Sequence, residues 1–208
     1  MGDPMSILNV LMTPDRAFVA VDTLAQDAVS GEISEGAKLL LIPQHNIVVA
    51  GRGSGQFYLR IYQLCLEASF RSAFSIEQVM REVGPVMDQL WPNYVQAIRD
   101  AKLDLGQLQA EIVIVGWSTA QGRIVGSAYA KSVVEQPTHV AELVGGIAAP
   151  GQPLRGLADS FHPDAILAAG RRQAEYVNAE EGRHVAGGRI ITAFLQRGEA
   201  IVRDLGAV

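Results

Sequence analysis

The first fifty residues alternate between short apolar runs and polar turns, a pattern that predicts β-strands. The runs SILNVLM, from Ser6, and AFVAVD, ending at Asp22, flank a Thr-Pro-Asp-Arg turn and predict a β-hairpin. The runs KLLLIP, from Lys38, and IVVAG, ending at Gly51, predict a third and a fourth strand. Their unbroken apolar stretches are typical of strands that are covered on both faces.

The apolar period then changes to that of helices. Apolar residues recur at helical spacing over residues 54–73, with Ser54 as the predicted N-cap. A second helix is predicted after Ser75, where Ser-Ile-Glu-Gln forms a capping box. Pro85 and Pro92 lie inside this second pattern and are expected to kink or break the helix.

Strand patterns return in the second half of the chain, with one helix between them. The predicted elements are strands at 111–118 and 123–132, a strand from Thr138, a helix from about Pro163 to about Glu181, and a closing hairpin over 188–206. The stretch 147–159 is predicted as a Gly/Pro-rich loop, and the polar stretch 23–36, which contains Gly and Ser, is assigned no strand or helix. Two helices inserted as a block between groups of strands indicate an α+β fold, with stacked sheets and a helical layer outside each.

Composition and charge narrow the classes of function. The net charge is −5, and no basic run exceeds two residues, so we expect no nucleic-acid partner. No apolar run reaches the ~20 residues that span a bilayer, and the N-terminus lacks a basic signal region, so we expect no membrane association. Cys65 is the single cysteine, which predicts a reducing cytoplasm and excludes an intramolecular disulfide.

No cofactor or metal is expected. The four histidines are scattered without ligand spacing and are interpreted as surface or turn residues: His45, His139, His162 and His184. The sequence Gly51-Arg52-Gly53-Ser54-Gly55 resembles a nucleotide-binding loop, but Gln56 stands where a third glycine is required. A tight turn from a strand into a helix is the preferred interpretation.

Three residues whose side chains can take part in catalysis lie at the ends of successive predicted strands. Ser6 opens the first strand, Asp22 ends the second and Lys38 opens the third. In a hairpin the end of the second strand lies beside the start of the first. If the third strand also starts at this edge of the sheet, the three side chains converge there. A serine hydroxyl needs a base, and the free α-amine of an N-terminal Ser6 would supply one with a near-neutral pKa. Lys38 would lower the pKa of the hydroxyl and of the α-amine, and Asp22 would keep Lys38 charged and oriented. The backbone N–H of Gly51, or of nearby Gly53, would stabilise an oxyanion.

These residues resemble the opening of proteasome β subunits and HslV-type peptidases. The similar segments are SILNVLMTPDRAFVAVD, GAKLLLIP and IVVAG, and sixteen positions separate Ser6 from Asp22 and Asp22 from Lys38, as in that family. The similarity continues through EIVIVGWSTAQGRIVGSAYAKS and GGRIITAFLQRGEAIVRDLG. It departs at Arg183 and Ala186, where the family has a supporting Asp and Ser, and Ser6 replaces the family's Thr.

The resemblance implies a four-layer αββα sandwich of two antiparallel sheets, of the N-terminal-nucleophile (Ntn) hydrolase type. It implies a single domain over residues 6–208, preceded by a leader or expression remnant over residues 1–5. The implied activity is hydrolysis of amide bonds, most simply peptide bonds, by Ser6 after removal of the preceding residues. A homo-oligomer that takes a peptide or small amide substrate is expected.

Three alternatives stay open at this point. Asp22 and Lys38 would serve equally well as a structural ion pair in a non-catalytic ring or scaffold subunit. A small-molecule amidase would use the same residues. Ser6 carries no catalytic role if the residues before it are never removed, because an amide nitrogen cannot act as a base.

Overall fold

Antiparallel β-sheet dominates residues 6–105 and 108–208, the part of the chain that the computed structural model describes. Twelve strands occur in these residues: β1 Leu8–Met12, β2 Arg16–Asp22, β3 Leu24–Gln26, β4 Ile33–Glu35, β5 Leu39–Ile42, β6 Ile47–Gly53, β7 Ala110–Ser118, β8 Arg123–Lys131, β9 His139–Glu142, β10 Gly146–Ala149, β11 Arg189–Gln196 and β12 Glu199–Ala207. The same residues contain three α-helices, which are α1 Gly55–Ala68, α2 Ile76–Asp100 and α3 Pro163–Glu181.

The strands form two five-stranded sheets and one small hairpin sheet. Sheet I has the order β10-β1-β2-β11-β12, and sheet II has the order β5-β6-β7-β8-β9. In sheet I, β1 and β2 are antiparallel with Leu8 opposite Val21, so the start of β1 lies beside the end of β2. The pair β3 and β4 forms the third sheet.

An apolar core joins the facing surfaces of sheets I and II. Val10 and Val19 of sheet I belong to the same buried cluster as Val48, Val113 and Val115 of sheet II. Alternate residues of each strand point to one face, so every second residue of β1 and β2 enters this core. The opposite faces of the two sheets contact helices: α1 and α2 pack on sheet II, and α3 packs on sheet I.

Helix α2 is continuous over 25 residues and passes through Pro85 and Pro92. The helix is therefore not broken at either proline, and the kink that the sequence offered as the other outcome stays a prediction. A proline inside a helix costs about 3 kcal/mol. The buried face of α2 continues past both prolines, with Val83, Met87 and Trp91 fully or almost fully buried, and this packing offsets the cost.

The expected four-layer αββα sandwich of two antiparallel sheets is wrong. The described residues contain three antiparallel sheets with twelve strands and only three α-helices, one of which is the single helix on sheet I. The additional sheet arises within 23–36, the polar stretch to which the sequence assigned no strand. The Asp27 carboxylate accepts N–H bonds from Val29 at 2.9 Å and Ser30 at 2.6 Å, and these bonds close the turn between β3 and β4.

A second correction concerns the strand predicted from Thr138. The chain instead forms two strands in different sheets: β9 pairs with β8 in sheet II, and β10 crosses to pair with β1 in sheet I. Gly145 lies between them with a φ of +72°, a conformation that favours glycine. The predicted 147–159 loop therefore starts inside β10.

None of the helices in the described residues is long and apolar enough to cross a membrane. The division into residues 1–5 and a domain over 6–208 stays a prediction, since residues 1–5 lie outside the described part of the chain.

Candidate functional site

Ser6, Asp22 and Lys38 lie together where two sheets meet. Ser6 precedes β1, Asp22 ends the neighbouring β2, and Lys38 precedes β5 of sheet II. Sheet packing brings β2 and β5 into contact, so Lys38 reaches across from sheet II to the end of sheet I. The structure thus brings together the three side chains that the sequence singled out.

The three polar groups form a continuous chain of contacts. The Lys38 Nζ lies 3.0 Å from the Ser6 Oγ and 2.8 Å from the Asp22 Oδ1. Ser6 is partly exposed, whereas the Lys38 side chain is 13% exposed and the Asp22 side chain is fully buried. Asp22 is therefore the innermost member of the chain, and Ser6 and Lys38 lie nearer the surface.

The Asp22 carboxylate is held by three donors. Besides Lys38, its Oδ1 accepts the N–H of Ile7 at 3.0 Å, and its Oδ2 accepts the N–H of Gly187 at 3.1 Å. A buried charge is tolerated when it is paired and hydrogen-bonded in this way. Asp22 consequently ties the residue after Ser6 to the loop before β11.

Burial lowers the pKa of the Lys38 ammonium below its ordinary value of 10.5, and the Asp22 carboxylate opposes this shift. Desolvation disfavours the charged form, while a neighbouring carboxylate favours it. Lys38 therefore loses its proton more readily than a solvent-exposed lysine.

The chemistry available to the Ser6 nitrogen depends on whether residues 1–5 are attached. In the full-length chain its nitrogen belongs to the peptide bond with Met5 and has no basic lone pair. In a chain that begins at Ser6, the same nitrogen is an α-amine with an ordinary pKa of roughly 7.7–8.0. The predicted leader over residues 1–5 lies outside the described residues.

Gly51 occupies the place in the fold that the sequence assigned to it, at the end of the IVVAG run in β6 and opposite Lys38. Its N–H donates to the Lys38 carbonyl oxygen at 2.9 Å, so the sheet already uses this donor. A Cβ at Gly51 would lie 2.8 Å from the Tyr58 Cδ2, so close packing alone explains the glycine. Its role in binding an oxyanion stays a prediction.

Several supporting groups were not found from the sequence. The backbone N–H groups of Ile7 and Gly187 carry no side-chain signal, and Asn178, which binds the loop before Gly187, looks like an ordinary helical residue. The one signal in the sequence is the pair of glycines at 187 and 188. In the structure both have positive φ, and Gly188 packs against Thr23.

The remaining candidates are explained by local structure. The Ser54 side chain accepts the Phe57 N–H and caps α1, as expected for a turn from a strand into a helix. Cys65 is a free thiol on the buried face of α1, where it is part of the core. Among the described residues, no group of three or more His, Cys, Asp or Glu side chains is arranged to hold a metal ion.

Comparison with known proteins adds no assignment to this geometry. No protein-family model matches the chain, and no curated protein matches it significantly.

Proposed function

We propose that this protein hydrolyses amide bonds, most simply peptide bonds, with Ser6 as an N-terminal nucleophile once the residues before it are removed. The observation that carries the proposal is the contact chain from the Ser6 Oγ through the Lys38 Nζ to the buried Asp22 carboxylate. A hydroxyl, an ammonium and a carboxylate within hydrogen-bonding reach match the needs of an activated serine.

The proposed reaction has two stages. The Ser6 α-amine takes the Oγ proton while Oγ attacks the substrate carbonyl carbon, and the amine then passes the proton to the departing substrate nitrogen. This leaves an ester between Ser6 and the acyl group. Water, deprotonated by the same amine, attacks the ester carbonyl carbon, and the Oγ–acyl bond breaks. The acyl group leaves as a carboxylic acid, and the amine returns the proton to Oγ, which regenerates the Ser6 hydroxyl. Lys38 stabilises the developing negative charge on Oγ, and Asp22 keeps Lys38 in place.

The lowered pKa of Lys38 offers a second base. A neutral Lys38 amine 3.0 Å from the Ser6 Oγ would accept its proton even in the full-length chain. The two bases make different demands on the N-terminus, since only the first requires a free Ser6 amine.

A matched pair of lysine variants tests the proposal. Lys131 is a second buried lysine, 3% exposed and 2.7 Å from Asp88, with no role in the proposed site. In the form beginning at Ser6, we expect Lys38→Ala to lower amide hydrolysis by roughly 10²-fold or more, as for loss of a nucleophile-activating group, and Ser6→Ala to abolish it. Lys131→Ala should retain most activity in the fraction that remains folded. Equal losses in the two lysine variants would refute the role of Lys38.

A non-catalytic structural subunit is the second candidate function. It is favoured by the closed set of bonds around Asp22, which ties β1, β5 and the loop before β11 together whatever the chemistry of Ser6. Under this alternative, Ser6→Ala leaves the assembly of the protein unchanged and removes only the hydrogen bond that the Ser6 Oγ accepts from the Lys38 Nζ.

We also propose that the protein forms a homo-oligomer in a reducing cytoplasm. Support comes from an apolar fraction of 49% and from the free, buried thiol of Cys65. Light scattering on the protein at micromolar concentration tests the assembly. A mass of 22.3 kDa, that of one chain, would contradict it.

A further inference from the structure

The side-chain amide of Asn178, in the last turns of α3, organises the loop that leads into β11. Its Oδ1 accepts the N–H of Val185 at 2.8 Å and the N–H of Ala186 at 3.0 Å. Its Nδ2 donates to the Ala186 carbonyl oxygen at 2.9 Å. One side chain thus satisfies three backbone groups of two consecutive residues.

The next residue of this loop contacts the candidate site directly. Gly187 donates its N–H to the Asp22 Oδ2 at 3.1 Å, and Asp22 in turn contacts Lys38. Gly187 has a φ of +147°, and a Cβ there would lie 3.0 Å from the His184 ring. Asn178 therefore fixes the two residues whose conformation determines where the Gly187 N–H points.

The amide is suited to this task because it combines an acceptor and a donor on one short side chain. The two N–H groups that bond Oδ1 fix the orientation of the Asn178 amide. Nδ2 then faces the Ala186 carbonyl oxygen and lies 3.3 Å from the His184 Nδ1. Leucine would satisfy none of these groups. Aspartate would keep the acceptor for both N–H groups but would place a second oxygen against the Ala186 carbonyl.

We propose that Asn178 is a positioning residue for the Ser6 site, acting through the loop Val185–Gly187 on Asp22 and through Asp22 on Lys38. This inference rests on the proposed function. Without Asn178 the Gly187 N–H loses its fixed direction, one of three donors to Asp22 is weakened, and the Lys38 Nζ is less closely held beside the Ser6 Oγ. Misplacement of a catalytic group by about 1 Å can cost about 10²-fold in rate.

The test compares two amides of the same helix. Gln173 is also on α3 and fully buried, but its amide bonds Asn9 and Pro150 instead of the loop before β11. In the form beginning at Ser6, inactivation by a peptide vinyl sulfone gives a maximal rate and a half-saturating concentration for each variant. We expect Asn178→Leu to lower the maximal inactivation rate about 10–100-fold with little change in the half-saturating concentration. The maximal rate of Asn178→Asp should fall between those of Asn178→Leu and the wild type. Gln173→Leu should retain the wild-type rate.

Amide hydrogen exchange supplies a readout that needs no activity. In the full-length chain, Asn178→Leu should lose protection at the Gly187 N–H and the Ile7 N–H, whereas Gln173→Leu should keep both protected. Unchanged protection of Gly187 in Asn178→Leu, or equal rate losses in the Asn178→Leu and Gln173→Leu variants, would overturn the positioning role. If the wild type is never inactivated, the proposed function fails, and the exchange result still decides whether Asn178 positions Asp22.

Discussion

The Lys38 Nζ lies 2.8 Å from the Asp22 Oδ1, and this ion pair joins the start of β5 in sheet II to the end of β2 in sheet I. Asp22 is fully buried, and its carboxylate is held by this partner and by two backbone N–H groups. The pair is therefore both the support of the candidate nucleophile and a connection between the sheets.

Removal of Lys38 should destabilise the fold. Lys38→Met leaves the Asp22 carboxylate buried without a cation, and loss of one partner of a buried pair costs about 3–5 kcal/mol. Adding Asp22→Asn should recover part of this loss because the uncompensated charge is then gone. The free energy of unfolding in urea measures both effects.

An exposed ion pair provides the control for this measurement. Arg123 and Glu142 are 3.9 Å apart and largely exposed, so Arg123→Met should cost less than about 1 kcal/mol. If Lys38→Met proved no more costly than Arg123→Met, the ion pair would not stabilise the fold in the way we describe.

Gly51→Ala should destabilise the protein by about 1–3 kcal/mol, as expected for overpacking. The new methyl group would lie 2.8 Å from the Tyr58 Cδ2 and 3.0 Å from the Glu111 carbonyl oxygen. Gly55, in the first turn of α1, has open space around its Cβ position, so Gly55→Ala should be neutral or slightly stabilising. Thermal unfolding of the two variants compares them, and similar midpoints would show that Gly51 is not required for packing.

Hairpin geometry accounts for the prediction that Ser6 and Asp22 lie side by side, because it places the end of β2 beside the start of β1. The position of Lys38 depends in addition on the packing of sheet II against sheet I, and the sequence predicted it only by assuming that the third strand starts at the same edge. The sequence did not predict the sheet count. The turn of the third sheet depends on side-chain bonds of Asp27, and the crossing from β9 to β10 depends on the positive φ of Gly145. Neither leaves an apolar period, which is the signal on which strand prediction depends.

The groups that support Asp22 could not be identified from the sequence, for a different reason. Gly187 contributes only a backbone N–H, and Asn178 acts on it through the backbone of the intervening loop. Such contacts are set by tertiary placement of α3 against sheet I, whereas charged side chains at strand ends are visible in the sequence itself.

The stability of the protein should fall at alkaline pH partly because of Cys65. Burial raises the pKa of the Cys65 thiol from an ordinary value of 9.0 to about 12. A group with a raised folded-state pKa contributes stability that is complete below the unfolded pKa and is lost as the pH rises, here from 9 towards 12. The slope contributed by one such group is at most about 1.4 kcal/mol per pH unit.

Urea unfolding of wild type and Cys65→Ala between pH 8 and pH 10.5 isolates this contribution. Burial also raises the pKa of Tyr58 and of Tyr129, so both proteins lose stability in this range. The wild type should lose it more steeply. Parallel curves for the two proteins would show that the thiol is not protected from ionisation by the fold.

The most direct test of the central claim compares two forms of the chain, one that retains residues 1–5 and one that begins at Ser6. Each form is incubated with the same peptide vinyl sulfone, and mass spectrometry identifies the labelled residue. The N-terminal-nucleophile account predicts labelling at Ser6 only in the form that begins there, since the amide nitrogen of the full-length chain is not a base. Labelling of neither form at Ser6, or equal labelling of both, would contradict it; the first result would favour a structural subunit, and the second would make Lys38 the base.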